Sequence, residues 1–137
     1  MTVGAFATIE GDVELGDFCT VAAGAVVKGG TRAGCHNEFG EHCVVGGAPQ
    51  HAARPQQVGT LVIGDHNVFR EYVTVHRALK VGTATVIGDH NYAMAAAHVG
   101  HDCVVGNNCI FANGALLGGH VTVEDRACLL YTSPSPR

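Results

Sequence analysis

Apolar residues recur at every sixth position along most of this chain. Counted from Val3 to Val123, the six-residue frame has 21 first positions, and all but His51 and Gln57 are apolar. Because 47% of the residues are hydrophobic, about ten apolar first positions would be expected by chance. An α-helix repeats every 3.6 residues and cannot keep a strict period of six over such a length.

Short strands joined by tight turns fit this period. Gly, Asp, Asn and His occupy the positions between the apolar residues, as turns require. Three hexads then close one triangular coil, so that each residue stacks on the residue three hexads before it. The pattern predicts an all-β chain, a parallel β-helix with almost no α-helix.

The fifth position of each hexad is mostly small and is expected to point inward. Four cysteines fall there, and we interpret them as small buried packing residues: Cys19, Cys43, Cys103 and Cys109. Three asparagines share the position and are predicted to form hydrogen-bonded sites in the coil wall: Asn37, Asn67 and Asn91.

The frame predicts one β-helix domain over residues 1–127. Residues 47–60 lose the apolar pattern, contain two prolines and are expected to form a loop expelled from one corner, and a shorter excursion is expected at 79–85. Residues 128–137 resemble a translated sequencing adapter and are interpreted as a non-native tail. Neither end carries a solenoid cap, so the β-helix is expected to be truncated at both ends.

Composition argues against several classes of function. The net charge is −4 with only eight Lys and Arg, so no basic surface for nucleic acid is expected. The sequence has no run of about 18 consecutive apolar residues, so no segment is expected to span a membrane. The six cysteines include no CxxC pair that would favour a zinc or redox motif.

Candidate chemistry is concentrated in the segment AHVGHDC at 97–103 and in the hexads that follow it. The frame places one group of polar and glycine residues along or near one edge of the prism: His98, His101, Asp102, Asn113, Gly119 and His120. A histidine oriented by an acid suits a general base. A backbone N–H at a Gly-Gly turn suits oxyanion stabilisation. Other turn histidines have no evident role, so simple solvation stays an alternative for each: His36, His42, His66 and His90.

Two segments carry a resemblance to a known family. IGDHNVFREYVTVHR at 63–77 and AHVGHDCVVGNNCIFANGALLGGH at 97–120 resemble the UDP-N-acetylglucosamine acyltransferases. The resemblance extends from residue 3 to about 127. It implies a left-handed β-helix, whereas β-crossovers are otherwise normally right-handed. It also implies a cytoplasmic homotrimer that uses no cofactor, transferring an R-3-hydroxyacyl chain from acyl carrier protein to the 3-hydroxyl of UDP-N-acetylglucosamine, the first step of lipid A biosynthesis.

The same resemblance implies roles for individual residues. His101 corresponds to the general base, Asp102 to the acid that orients it, and Gly119 to the backbone donor for the thioester oxyanion. The remaining matched positions line the substrate: Gln50, His51, His98, Asn113 and His120. His51 and Ala53 stand where the family usually has aspartate and lysine, which puts the acceptor and the acyl length in question.

Three alternatives follow from these departures and from the histidines. A related hexapeptide acyltransferase would acylate an amino-sugar nucleotide. A gamma-type carbonic anhydrase would bind zinc through a set drawn from four histidines, because neutral imidazole suits zinc: His76, His98, His101 and His120. A purely structural solenoid would bind no substrate.

Overall fold

Every regular element in the computed structural model of the chain is a short β-strand, and the structure describes residues 1–130. The strands are β1 (Thr2–Val3), β2 (Thr8–Ile9), β3 (Val13–Leu15), β4 (Thr20–Val21), β5 (Val26–Val27), β6 (Thr31–Ala33), β7 (Glu38–Phe39), β8 (Val44–Gly47), β9 (Thr60–Ile63), β10 (Val68–Phe69), β11 (Thr74–His76), β12 (Ala84–Ile87), β13 (Tyr92–Ala93), β14 (His98–Val99), β15 (Val104–Val105), β16 (Ile110–Phe111), β17 (Leu116–Leu117), β18 (Thr122–Val123) and β19 (Cys128–Leu129). Within the described residues no helix is long and apolar enough to cross a membrane.

The strands form three parallel sheets that make the three faces of a prism. Sheet A has the order β1-β4-β7-β10-β13-β16-β19, sheet B contains β2, β5, β8, β11, β14 and β17, and sheet C contains β3, β6, β9, β12, β15 and β18. Successive strands therefore pass from A to B to C, and every third strand returns to the same sheet. The left-handed parallel β-helix predicted from the hexads and the resemblance is confirmed.

Stacking at a spacing of three hexads holds except across two insertions. Phe39 pairs with Phe69, which is five hexads further along the chain, and Phe69 pairs with Ala93, which is four hexads further along. The first insertion therefore adds two hexads and the second adds one. The hexad frame continues in phase past both insertions, although the stacking partners change.

Both insertions leave the prism at the same corner. Residues 48–59 connect β8 of sheet B to β9 of sheet C, and residues 77–83 connect β11 of sheet B to β12 of sheet C. We call the edge between these sheets the B–C corner. The two later turns at this corner are the one between β14 and β15 and the one between β17 and β18.

The inside of the prism is filled by the first and fifth positions of the hexads. Phe39 and Phe69 stack there with ring centroids 5.5 Å apart. The four fifth-position cysteines are buried and free, which confirms their packing role. Burial raises the pKa of the Cys43 thiol to about 12, so this side chain stays a neutral apolar group.

The buried asparagines form a ladder along the C–A edge, as predicted. Asn37 Oδ1 accepts the backbone N–H and the side-chain amide of Asn67, at 2.9 and 3.1 Å. Asn67 Oδ1 accepts Asn91 N–H at 2.9 Å, and Asn91 Oδ1 accepts Cys109 N–H at 2.8 Å. Each link satisfies a buried backbone group that would otherwise destabilise the wall.

The last described strand extends the coil slightly past residue 127. Cys128 and Leu129 of β19 pair with Ile110 and Phe111 of β16. These two residues fall within the segment interpreted as a tail, whereas residues 131–137 lie outside the described residues.

Candidate active site

Two stacked turns at the B–C corner carry the main polar cluster. His101 and Asp102 form the turn between β14 and β15, and Gly119 and His120 form the turn one coil above. Asp102 and His120 have φ angles of 62° and 63°. Aspartate and histidine are among the residues that tolerate this left-handed conformation best. His120 N–H donates to His101 C=O at 3.0 Å, which fixes one turn on the other.

The side chains of His101 and Asp102 form a hydrogen-bonded pair. His101 Nδ1 lies 2.8 Å from Asp102 Oδ2, and each side chain is only 15% exposed. Because an ionised carboxylate only accepts hydrogen bonds, this contact assigns the proton to Nδ1 and leaves Nε2 with its lone pair. The arrangement is that of a base and its orienting acid.

Asp102 is held in its ionised form. Burial opposes ionisation, but the hydrogen bonds from the His101 side chain and from Leu79 N–H, helped by His120, outweigh it and lower the pKa of this carboxyl group. Leu79 N–H donates to Asp102 Oδ2 at 3.1 Å, and His120 Nε2 lies 3.8 Å from the same oxygen. A negative charge therefore stands behind His101 at neutral pH.

Gly119 lies directly against the imidazole of His101. A Cβ atom built on Gly119 would be 2.7 Å from both Cε1 and Nε2 of His101. Among the described residues, the Gly119 N–H has no hydrogen-bond acceptor. The bare backbone of Gly119 thus adjoins the nitrogen of His101 that is free to take a proton.

His98 lies on β14 beside this turn, on the outer face of sheet B. Its Nδ1 is 2.8 Å from Thr74 Oγ1, and its ring centroid is 4.9 Å from that of His76. His76 Nδ1 donates to Ala48 C=O at 2.8 Å, which ties it to the start of the long insertion. Burial, with a smaller effect of His76, lowers the pKa of His98, so His98 is neutral at pH 7.

These groups line a cavity of about 180 Å³ at the B–C corner. Its lining residues are Gln50, His76, His98, Gly100, His101, Gly118 and Gly119. A wider groove continues from it over sheet B, past Thr74 and Leu116 to Tyr72. The cavity therefore opens onto an adjoining apolar surface.

The long insertion brings one further predicted residue to the cavity and another to the ring of His101. Gln50 lines both the cavity and the groove. His51 is exposed, and its ring lies edge-on to His101 with centroids 6.1 Å apart.

Asn113 is not brought to this corner. It is an exposed residue in the turn between β16 of sheet A and β17 of sheet B, whereas His101 follows sheet B. The expectation that Asn113 lies along the same edge as His101 is wrong in placement, because Asn113 belongs to a hexad that leaves a different sheet. Its proposed substrate role stays a prediction.

Sequence reasoning did not assign Thr74, Tyr72 or Leu116 to this site and considered His76 only as a zinc ligand. Thr74 and His98 are four hexads apart, and they pair because of the second insertion. The regular spacing of three hexads would not have found this contact. The sequence signal for this contact is the long gap between the apolar residues of β11 and β12, which indicates a coil longer than three hexads.

One group of side chains at this corner has the composition of a metal site. One ligand atom each from His101, Asp102 and His120 lies within 4.8 Å of the others. Two imidazoles and a carboxylate suit zinc chemically. However, Asp102 Oδ2 already accepts hydrogen bonds from His101 and Leu79, so a metal ion on this oxygen would have to displace them.

Comparison with known proteins links this chain to one enzyme family. Residues 84–119 match the family model described as bacterial transferase hexapeptide (six repeats). Over 134 aligned residues the chain is 40% identical to the acyl-(acyl-carrier-protein)–UDP-N-acetylglucosamine O-acyltransferase of Thermodesulfovibrio yellowstonii, covering 88% of this chain and 52% of the relative. It is 48% identical over 103 residues to the enzyme of the same name from Stutzerimonas stutzeri, covering 74% of this chain and 40% of that protein.

Solved structures show the same relationship. The chain is similar to the UDP-N-acetylglucosamine acyltransferase of Francisella novicida, with a TM-score of 0.89 and 27% identity over 94% of this chain and 50% of that one. The acyltransferase of the same name from Campylobacter jejuni gives a TM-score of 0.81 and 35% identity over 88% of this chain and 47% of that one. The chain spans about half, or less, of the length of these relatives.

Proposed function

Because the chain belongs to the UDP-N-acetylglucosamine O-acyltransferase family, of whose length it spans about half, we propose that it takes part in that family's acyl transfer. The reaction moves an R-3-hydroxyacyl group from acyl carrier protein to the 3-hydroxyl of UDP-N-acetylglucosamine, the first step of lipid A biosynthesis. The observation that carries the proposal is the His101–Asp102 pair, with His101 Nε2 beside the backbone of Gly119.

His101 acts as the general base in this proposal. Asp102 accepts the Nδ1 proton of His101, so Nε2 can receive the proton of the sugar hydroxyl as its oxygen attacks the thioester carbonyl. The ionised Asp102 then stabilises the imidazolium that forms. Attack is direct, with no covalent enzyme intermediate.

Gly119 supplies the oxyanion contact. As the new C–O bond forms, the thioester oxygen gains negative charge, and the Gly119 N–H donates a hydrogen bond to it. Collapse of the tetrahedral intermediate breaks the C–S bond. The leaving thiolate takes the proton held by His101, which returns the enzyme to its starting state.

The cavity and groove provide the binding surfaces of the proposal. His98, neutral and fixed by Thr74, lines the acceptor side, and His120 approaches it from the next turn, beside His101. Gln50 and His51 approach from the long insertion. Asn113 contributes from the neighbouring A–B corner. By family membership we also propose a homotrimer that works in the cytoplasm with acyl carrier protein as donor and no cofactor.

A second acceptor class is favoured by one specific feature of the long insertion. His51 and Ala53 replace the usual aspartate and lysine, and the Ala53 N–H donates to His51 Nδ1 at 3.1 Å. A loop changed in this way would suit an amino-sugar nucleotide, on which the product is an amide. The sugar ester remains the first proposal, since the His101–Asp102 pair beside Gly119 suits base-assisted attack by a hydroxyl.

Mass spectrometry of reaction products tests both acceptors. The chain is incubated with R-3-hydroxyacyl carrier protein and either UDP-N-acetylglucosamine or its 3-amino analogue. An acylated product that alkali hydrolyses to the starting sugar supports the ester. An acyl product found only with the amine contradicts the O-acyl assignment, and activity that a chelator abolishes supports a zinc enzyme instead.

A further inference from the structure

We propose that Thr85 is a positioning residue for the His101–Asp102 pair, because its buried hydroxyl replaces a backbone hydrogen bond that the fold lacks beneath Asp102. This inference rests on the proposed function for its catalytic meaning. The structural part concerns the chain alone and can be tested without activity.

The fourth-position residue of a hexad turn normally donates its N–H to the carbonyl of a third-position residue one coil below, as His120 does to His101. Gly30 also donates to a backbone carbonyl, that of the fourth-position residue Asp12. Such bonds join successive turns along each corner of the prism. The fourth-position residues that donate to a third-position carbonyl one coil below are Gly24, His36, His42, His66, Tyr72, His90, Ala96, Asn108, Gly114, His120 and Arg126.

Asp102 departs from this pattern. Its N–H donates instead to the side-chain oxygen Oγ1 of Thr85, at 2.9 Å. Thr85 lies on β12 at the fifth position of its hexad and is fully buried. The backbone N–H of Asp102 is therefore joined to the coil below through one hydroxyl group.

The short insertion explains the missing carbonyl. Val75 pairs with Val99, so the frame would place Arg77 and Ala78 beneath His101 and Asp102. However, residues 77–83 leave the prism here, and Ala78 C=O accepts the N–H of Gly59 at 2.7 Å. By the pattern above, the acceptor expected for the Asp102 N–H is the carbonyl of Arg77, the residue directly before this redirected backbone, and among the described residues the two are not hydrogen-bonded.

The same insertion also holds the other end of Asp102. Leu79 N–H donates to Asp102 Oδ2, so the backbone and the carboxylate of Asp102 are each fixed by residues 79–85. Asp102 adopts a left-handed conformation with a φ of 62°, which its surroundings hold in place. Loss of the Thr85 hydroxyl would leave the part-buried N–H of Asp102 without an acceptor at this left-handed turn.

The chain provides a matched control for Thr85. Thr31 and Thr85 both pair with Leu61, occupy the same hexad position in sheet C and are fully buried. Within the described residues Thr31 Oγ1 has no hydrogen-bond partner. Thr31→Val therefore makes the same chemical change in the same sheet without touching Asp102.

The experiment compares Thr85→Val, Thr85→Ser and Thr31→Val with the wild-type chain. Acyl-transfer kinetics and the ring ¹⁵N shifts of His101, which report its tautomer, are measured on each. We expect Thr85→Val to lower kcat about tenfold or more, with KM for the nucleotide sugar unchanged, because a small displacement of a catalytic group has large effects. The fraction of His101 with its proton on Nδ1 falls in the same variant, and Thr85→Ser restores both values toward wild type.

Thr85→Val behaving like Thr31→Val in both measurements would overturn the proposal, as would Thr85→Ser losing as much as Thr85→Val. If Thr85→Val does not fold, Thr85→Cys takes its place, because cysteine has nearly the same volume as threonine and its thiol is a weak acceptor. Asp102→Asn, which removes the carboxylate, gives the lower reference. The fraction of His101 with its proton on Nδ1 is then expected to lie between the values for Thr85→Ser and Asp102→Asn. A value equal to wild type contradicts the proposal. Absence of transfer by the wild type would contradict the proposed function, whereas the tautomer comparison would still decide the role of Thr85.

Discussion

His101 packs against the unsubstituted α-carbon of Gly119, so that a Cβ atom at residue 119 would lie 2.7 Å from the Nε2 atom of His101. Real Cβ atoms do not approach other atoms so closely, and the alanine side chain of Gly119→Ala would displace the imidazole. We expect this variant to fold and to lose about 10²-fold in acyl transfer. Steady-state kinetics with circular dichroism checks the result.

Gly118→Ala is the comparison for Gly119→Ala. A Cβ atom at residue 118 meets no atom within 4 Å, so the His101 ring should keep its position and its NMR shifts. Equal displacement of the ring in both variants would contradict the steric account.

The asparagine ladder predicts a large loss of stability on replacement of its central member. Asn67→Ala removes the acceptor of Asn91 N–H and the side-chain donors to Asn37 and Gly88, all in the buried wall. Each buried group left without a partner costs about 1–3 kcal/mol, so we expect the free energy of unfolding to fall by about 3 kcal/mol or more. Urea denaturation measures this change.

Cys109→Ala is the matched control for the ladder, because Cys109 follows Asn91 in the same column and is as fully buried as Asn67. It removes a sulfur atom and its weak hydrogen bond to Glu124 C=O, while Cys109 N–H keeps its bond to Asn91. A loss in Asn67→Ala no greater than that in Cys109→Ala would show that packing, not hydrogen bonding, holds this wall.

The lowered pKa of His98 predicts that the folded chain is less stable in mild acid. Its pKa in the folded chain is lowered by burial and by His76, whereas an unfolded histidine titrates near pH ~6.5. Below that pH the unfolded chain binds the extra proton and the folded chain resists it, so the free energy of unfolding falls as pH falls. Urea denaturation at a series of pH values from neutral to mildly acidic should show that the free energy of unfolding falls less steeply for His98→Gln than for the wild type. An equally steep fall in the two proteins would contradict the role given to His98.

Much of the architecture could be predicted from the sequence because the hexads determine which residues face inward. The burial of Cys43 and the hydrogen-bonded role of Asn67 follow directly from their fifth positions. The closeness of His101, Asp102 and Gly119 follows from the spacing of three hexads between successive turns at one corner.

The remaining features depend on the insertions, whose lengths change the stacking partners without disturbing the frame. The pairing of Thr74 with His98 and the bond from Asp102 to Thr85 both require a coil that is longer than three hexads. Asn113 is a different case, because it follows His101 by two hexads with no insertion between them, so the three-hexad coil itself puts it at another corner. Register across an insertion is decided by three-dimensional packing, and only the structure supplies it.

The central claim, that His101 is the base for acyl transfer, is tested most directly by the single-turnover rate of His101→Ala with R-3-hydroxyacyl carrier protein and UDP-N-acetylglucosamine. Removal of a positioned general base should lower the rate by about 10²–10⁴ while the β-sheet spectrum remains that of the wild type. A folded His101→Ala variant that transfers the acyl group at nearly the wild-type rate would contradict the account.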